Sequence, residues 1–291
     1  AARRSVLGYQ RGEETTADRA AIDYLNRTRQ SAVGMLRTFE RMAKDLSLAG
    51  VNVDPYQSSH PMPRDRLAAL ETLARESPYY AQKDPPALQL RHDLVRAKIA
   101  AYTGGANAVR RVFRGAGNSL GAAYGEAIAT FLSGSSRDAL ARVDRLIAAQ
   151  PGNPYFHELK GEILLKASRP AEAANAYANA IKLAPGRPGL LEVGYGRSLL
   201  ATGRPDQIRK AADMLKVALT REPEYAAGYR FLAQAYGQLG HVGAAELATA
   251  EGHYHSGQIR DAKLFAARAQ QRLKRGSPDW LRAQDIINAR N

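Results

Sequence analysis

Residues 154–187 read PYFHELKGEILLKASRPAEAANAYANAIKLAPGR. Within these 34 residues Gly161, Leu164, Ala173, Tyr177, Ala180 and Pro185 fall at positions 8, 11, 20, 24, 27 and 32. The same spacing recurs outside the segment. Pro151 and Pro185 are 34 apart, as are Ala139 and Ala173, and Gly134 and Ser168. The next unit carries Gly196, Leu199, Gly203, Ala211, Leu215, Ala218 and Pro223, with a short insertion around Pro205–Lys210. A further one has Tyr229, Leu232, Ala233, Tyr236, Gly240 and Ala245. The period then halves: Gly240 to Gly257 and Ala245 to Ala262 are both 17 residues, one helix each. Small residues let two helices approach closely, and Tyr and Leu fill the space between units. A single helical hairpin cannot bury its apolar face alone, so neighbours must stack.

This pattern resembles the tetratricopeptide repeat, a helix–turn–helix with small residues at the crossing of its two helices. It covers residues 120–291 with about four to five repeats and predicts an α-solenoid. The texture before it differs. Residues 12–49 read as helical, with Ala21, Ile22 and Leu25, then Val33, Leu36, Phe39, Met42 and Leu46, at steps of three and four. Residues 50–63 hold three prolines and a glycine and read as a loop. A helix resumes near Arg64, with Leu67, Leu70 and Leu73 on one stripe. A Pro-containing connection follows at 77–88 and a helix at 89–102, closed by Gly104-Gly105, with 106–119 joining the two parts. The expected domains are 1–119 and 120–291.

Composition supports an all-α chain. Ala is abundant, β-branched residues are sparse, and the few aromatics are mostly Tyr. The net charge of +14 is spread evenly, with 19 Lys and Arg against 12 Asp and Glu in residues 1–120 and 23 against 16 in 121–291. No long basic run or aromatic-basic interleaving appears, so a diffusely basic surface is expected rather than a nucleic-acid partner. Weak attraction to anionic lipid or acidic polypeptide is compatible with it. The absence of Cys excludes disulfides, thiolate catalysis and Cys-based zinc sites. No apolar run is long enough to span a bilayer.

Two stretches could carry chemistry. The first is Gly12-Glu-Glu-Thr-Thr-Ala-Asp-Arg-Ala20, which places Glu14 and Asp18 four apart on one helical face. Such acids could bind a cation, or could simply favour a helix N-terminus. The second is Ser59-His60-Pro61-x-Pro63-x-x-Arg66, where a Pro-fixed loop can aim a histidine. Other candidates carry less. His253 and His255, two apart on a helix, point to different sides. His92, His157 and His241 are isolated, and Gly115-Ala-Gly117 lacks the strand and Lys-Ser/Thr of a phosphate loop.

Glu-x-x-Ala-Asp-Arg, a helix, a His-Pro loop followed by Arg, and tetratricopeptide repeats together resemble the BepA-type periplasmic zinc metalloproteases, of the HtpX and CAAX prenyl protease group of gluzincins. The resemblance implies that residues 1–119 are the C-terminal helical part of a zincin-type protease domain. It implies that Glu14 is the third zinc ligand and Asp18 a supporting acid. It places His60 near the active site, where it regulates access to zinc, with Arg66 as a nearby support. It further implies a periplasmic protein of envelope quality control, whose repeats recruit protein substrates or partners, with peripheral association to the membrane or to outer-membrane assembly machinery.

One departure matters. The family's His-Glu-x-x-His helix supplies two zinc ligands and the general base, and this sequence contains none. His157-Glu158-Leu159-Lys160-Gly161 lacks the second His and lies within a repeat. The expectation is that the chain is the C-terminal portion of a larger protease, with that helix preceding Ala1, and by itself neither cleaves peptides nor holds zinc tightly. The alternative is a non-catalytic tetratricopeptide-repeat interaction scaffold.

Overall fold

The computed structural model describes residues 2–48, 63–117, 119–186 and 188–289. Every regular element among them is a helix, and they form two compact units, Ala1–Gln89 and Leu90–Asn291.

In the first unit α1 (Ala2–Arg27), α2 (Val33–Leu48) and α3 (Pro63–Glu76) enclose Ile22, Ala32, Leu36, Phe39, Leu70 and Ala74. The helical reading of 12–49 resolves into two helices, α1 and α2. Arg29 takes φ 57°, and the Gln30 N–H returns to the Leu25 carbonyl at 2.8 Å, which closes α1. Ser31 then starts α2: its Oγ accepts from the Val33 N–H at 3.2 Å and donates to the Tyr80 carbonyl at 2.6 Å.

Most of α4 (Pro86–Val112) lies in the second unit, and it is a hairpin rather than one rod. Gly104 and Gly105 leave helical geometry, Gly105 with φ 59° and ψ −155°. A Cβ at Gly125 would meet both Ala97 and Val109, and one at Gly121 both Asp93 and Phe113, so the two arms lie side by side. Arg96 donates to the Val112 carbonyl across them at 3.3 Å. The glycine pair thus turns the chain inside a helical pair, and residues 106–112, expected only to join two parts, are its second arm. Both arms share a core with Tyr124, Ile128, Val143 and Ile163.

Five further pairs follow: α5 (Leu120–Leu132) with α6 (Ser136–Ala149), α7 (Pro154–Lys166) with α8 (Pro170–Leu183), α9 (Gly189–Leu200) with α10 (Pro205–Arg221), α11 (Ala226–Gln238) with α12 (Val242–His255), and α13 (Ile259–Gln270) with α14 (Pro278–Asn288). Each pair packs on the next, the paired-helix architecture that the 34-residue period predicts. The repeat positions have plain roles. Ala139 and Ala173 are completely buried. Gly134 and Ser168 sit in equivalent turns with φ 100° and φ 59°. The insertion at Pro205 extends the start of α10. Pro opens α7, α8, α10 and α14, where a missing N–H costs nothing. Ser119, Asn153 and Ser277 accept from the first-turn N–H groups of α5, α7 and α14.

Candidate functional site

Glu14 and Asp18 share one face of α1, and α3 brings Arg66 to them from 48 residues away. Arg66 Nε donates to Asp18 Oδ2 at 2.7 Å and Nη2 to Oδ1 at 2.6 Å. Arg66 Nη1 lies 3.1 Å from Glu14 Oε2. The guanidinium also lies over the Phe39 ring, 4.5 Å from its centroid. Asp18 is only 5% exposed, and a planar fork engages both its carboxylate oxygens. The hydrogen bond with Asp18 holds the Arg66 guanidinium above its ordinary range, outweighing partial burial.

Three of the four candidate residues therefore meet; His60 lies outside the described residues. A catalytic zinc needs three protein ligands and an open position. Among the described residues no three His, Cys, Asp or Glu side chains group to hold a metal ion. Arg66 engages both oxygens of Asp18 and one of Glu14. These residues do not by themselves fit zinc. Phe39, which supports the arginine, carried no sequence signal beyond its place on the apolar stripe.

The repeat unit presents two polar regions. On the first helices of the pairs, Lys98 of α4 lies 3.4 Å from Glu158 of α7, with Glu162 one turn on. Burial pushes the Glu162 carboxyl above the ordinary glutamate range, and Glu158 adds to the effect. Among α10, α11, α12 and α14 lies a cavity of about 300 Å³, lined by Leu219, Tyr229, Tyr236, Glu251, His255 and Arg282. Arg282 pairs there with the largely buried Glu251. Tyr229 stacks on His255 with centroids 5.3 Å apart, and burial lowers the histidine's affinity for a proton. Tyr195, Tyr229 and Tyr236 all join the core around α9–α12, whereas His253 faces Phe265 and Gln258. His157 donates to the Pro151 carbonyl at 2.9 Å, a local loop contact. No described helix is long and apolar enough to cross a membrane.

Comparison with known proteins adds three findings. Crystal structures of MamA align with TM-scores of 0.45, one at 18% identity covering 58% of this chain and 94% of that chain, another at 14% covering 57% and 95%. Residues 1–74 match Peptidase family M48. The beta-barrel assembly-enhancing protease of Escherichia coli (strain K12) is 26% identical over 286 residues, covering 94% of this chain and 56% of that protein. Its Yersinia pestis namesake is 24% identical over 290 residues, covering 97% and 57%. The chain thus spans little more than half the length of these relatives. It is similar to the beta-barrel assembly-enhancing proteases over most of its length, with a match to Peptidase family M48 over residues 1–74 followed by paired-helix repeats.

Proposed function

We propose that this chain serves a zinc metalloendopeptidase of bacterial envelope protein quality control, working in the periplasm. The repeats recruit polypeptide substrates or partners, including outer-membrane assembly machinery. Glu14 is the third zinc ligand, and its two fellow ligands come from outside the described residues. Asp18 supports it by fixing Arg66, and His60 and Arg66 stand close to the metal. The carrying observation is the Arg66 fork, which ties Asp18 to α3 and leaves a guanidinium nitrogen on Glu14. A ligand carboxylate oriented by a neighbouring charged group is the usual arrangement around a metal. The chain alone is inactive, because one acid does not hold a catalytic zinc.

The test has two arms. In the full-length protein, Glu14→Gln should lower zinc affinity by about 100-fold and Arg66→Met by about tenfold, the span expected of ligand and supporting positions. Unchanged zinc content in Glu14→Gln removes the ligand assignment. Robust peptide cleavage by residues 1–291 alone removes the claim of inactivity. The second reading, a non-catalytic scaffold, is favoured by the incomplete donor set. It gains ground if the full-length protein binds polypeptide yet takes up no zinc.

A further inference from the structure

The first-helix face of the repeat unit carries a carboxylate with no counter-ion in contact, although the chain as a whole is strongly cationic. Glu162 makes no hydrogen bond or ion pair with the described residues. Its cationic neighbours are occupied: Lys98 pairs with Glu158, and Arg197 lies over the Phe231 ring at 5.4 Å. Both act on Glu162 only through space.

Two phenols pack against α7, the helix that carries Glu162. Tyr177 leaves α8 through a slot that two glycines keep open. A Cβ at Gly161 of α7 would lie 2.6 Å from Tyr177 Cδ2 and Cε2, and one at Gly194 of α9 would lie 2.6 Å from Cζ. The ring therefore passes between α7 and α9, and Glu162 and Glu158 are the charges acting most strongly on its hydroxyl. Tyr124 of α5 packs on Phe156 of α7, ring centroids 5.7 Å apart, and the same two glutamates act on it through space. The two tyrosines are 2% and 4% exposed, and neither hydroxyl has a partner among the described residues. Neither is a fully enclosed orphan; Arg221 Nε alone has that standing among the described side chains. Each phenol oxygen thus reaches solvent, although its ring is buried. A carboxylate without an ion-pair partner and two phenol oxygens open to solvent offer acceptors to an incoming donor.

We propose that Glu162, with the hydroxyls of Tyr124 and Tyr177, receives a lysine or arginine side chain of a polypeptide lying across α5, α7 and α9. An ammonium or guanidinium brings several donors and no acceptor, which matches one carboxylate and two hydroxyl oxygens. The proposal rests on the reading of the repeats as a polypeptide-binding surface and names the side-chain chemistry that surface selects.

The experiment uses fluorescence anisotropy with fluorescein-labelled dodecapeptides of alternating apolar and polar residues, differing only in a central Lys, norleucine or Glu. The Lys peptide should bind about tenfold more tightly than the norleucine peptide, as one charge-assisted hydrogen bond implies, and the Glu peptide most weakly. Glu162→Gln should erase the Lys preference while keeping norleucine binding. Tyr177→Phe retains the ring in its slot and should reduce the preference about threefold, as loss of a single neutral hydrogen bond would. Equal binding of all three peptides, or a Lys preference that survives Glu162→Gln, overturns the inference and leaves polypeptide binding standing. Failure of every peptide and of a urea-unfolded polypeptide to bind overturns both.

Discussion

In the first unit, α1 is held to α3 by a charged fork between residues 48 apart, over a core of six buried apolar side chains. In the repeat unit, α7 meets α8 and α9 through a tyrosine seated on two glycines, and alanines without any exposure occupy the crossings. Polar chemistry used once has a partner that geometry alone supplies. Packing chemistry used repeatedly leaves a period. The same contrast decides where each unit is vulnerable: the first to loss of one charge, the second to a change of one methyl group.

The largest effect belongs to the repeat core. Phe156 is completely buried against Tyr124, ring centroids 5.7 Å apart, so Phe156→Ala should cost about 4 kcal/mol. Urea unfolding followed by the fluorescence of Trp280, the only tryptophan, reports on that unit. A loss under about 1 kcal/mol would show that the array does not transmit packing in the way a stacked solenoid requires.

Next comes Asp18→Ala, which takes the fork's bidentate partner away and leaves the Arg66 guanidinium with Glu14 alone. The guanidinium side chain is 19% exposed, so the cost should fall at the low end for a broken buried pair, about 3 kcal/mol. Hydrogen exchange of the amides in α1 and α3 measures it. The double variant Asp18→Ala with Arg66→Met should recover much of the loss, because it removes a guanidinium that has lost its bidentate partner. If the single variant exchanges like the parent protein, the fork is ornamental and the contrast between the units disappears.

The third effect tests the slot. Gly194→Ala gains helix propensity of about 1 kcal/mol but sets a methyl group into the Tyr177 ring. Overpacking of that kind costs about 3 kcal/mol, for a net loss of about 2 kcal/mol by urea unfolding. Combining it with Tyr177→Leu should relieve the clash. No relief would mean that the strain arises elsewhere than between ring and glycine.

The solenoid was legible because its determinants repeat. Ala139 and Ala173, or Gly134 and Ser168, match at 34 residues because equivalent crossings and turns impose equivalent volumes and φ angles. Where a feature occurs once, the sequence was quieter. Gly104-Gly105 marked an ending, and only the facing of Ala97 and Val109 on Gly125 shows it to be the turn of a hairpin. The split of α1 from α2 turns on Arg29 adopting a left-handed conformation that arginine rarely marks. At the candidate site, helical spacing alone put Glu14 and Asp18 on one face. That Arg66 closes on both, over Phe39, depends on the crossing of α1 and α3, which no local pattern encodes.

The smallest effect has the opposite sign from the others. Burial raises the proton affinity of Glu162, with Glu158 as the next contributor, so the charged form is disfavoured in the folded chain. An acid whose folded pKa exceeds its unfolded value, 4.5 for glutamate, opposes folding at neutral pH. The penalty is relieved as the pH falls through the raised value, because the folded state then takes up the proton first. Glu162→Gln removes the charge and keeps the shape, so it should raise the urea midpoint slightly at pH 7, by less than any of the losses above. The gain should shrink steadily as the pH approaches 4.5. A variant that is stabilised at pH 7 yet blind to lysine would place Glu162 where Asp18 would stand without Arg66: a charge that costs the fold stability and is retained for a partner supplied from outside. A variant less stable than the parent at pH 7 would mean that Glu162 already has its partner within the chain, and the contrast with the self-satisfied fork of the first unit would fail.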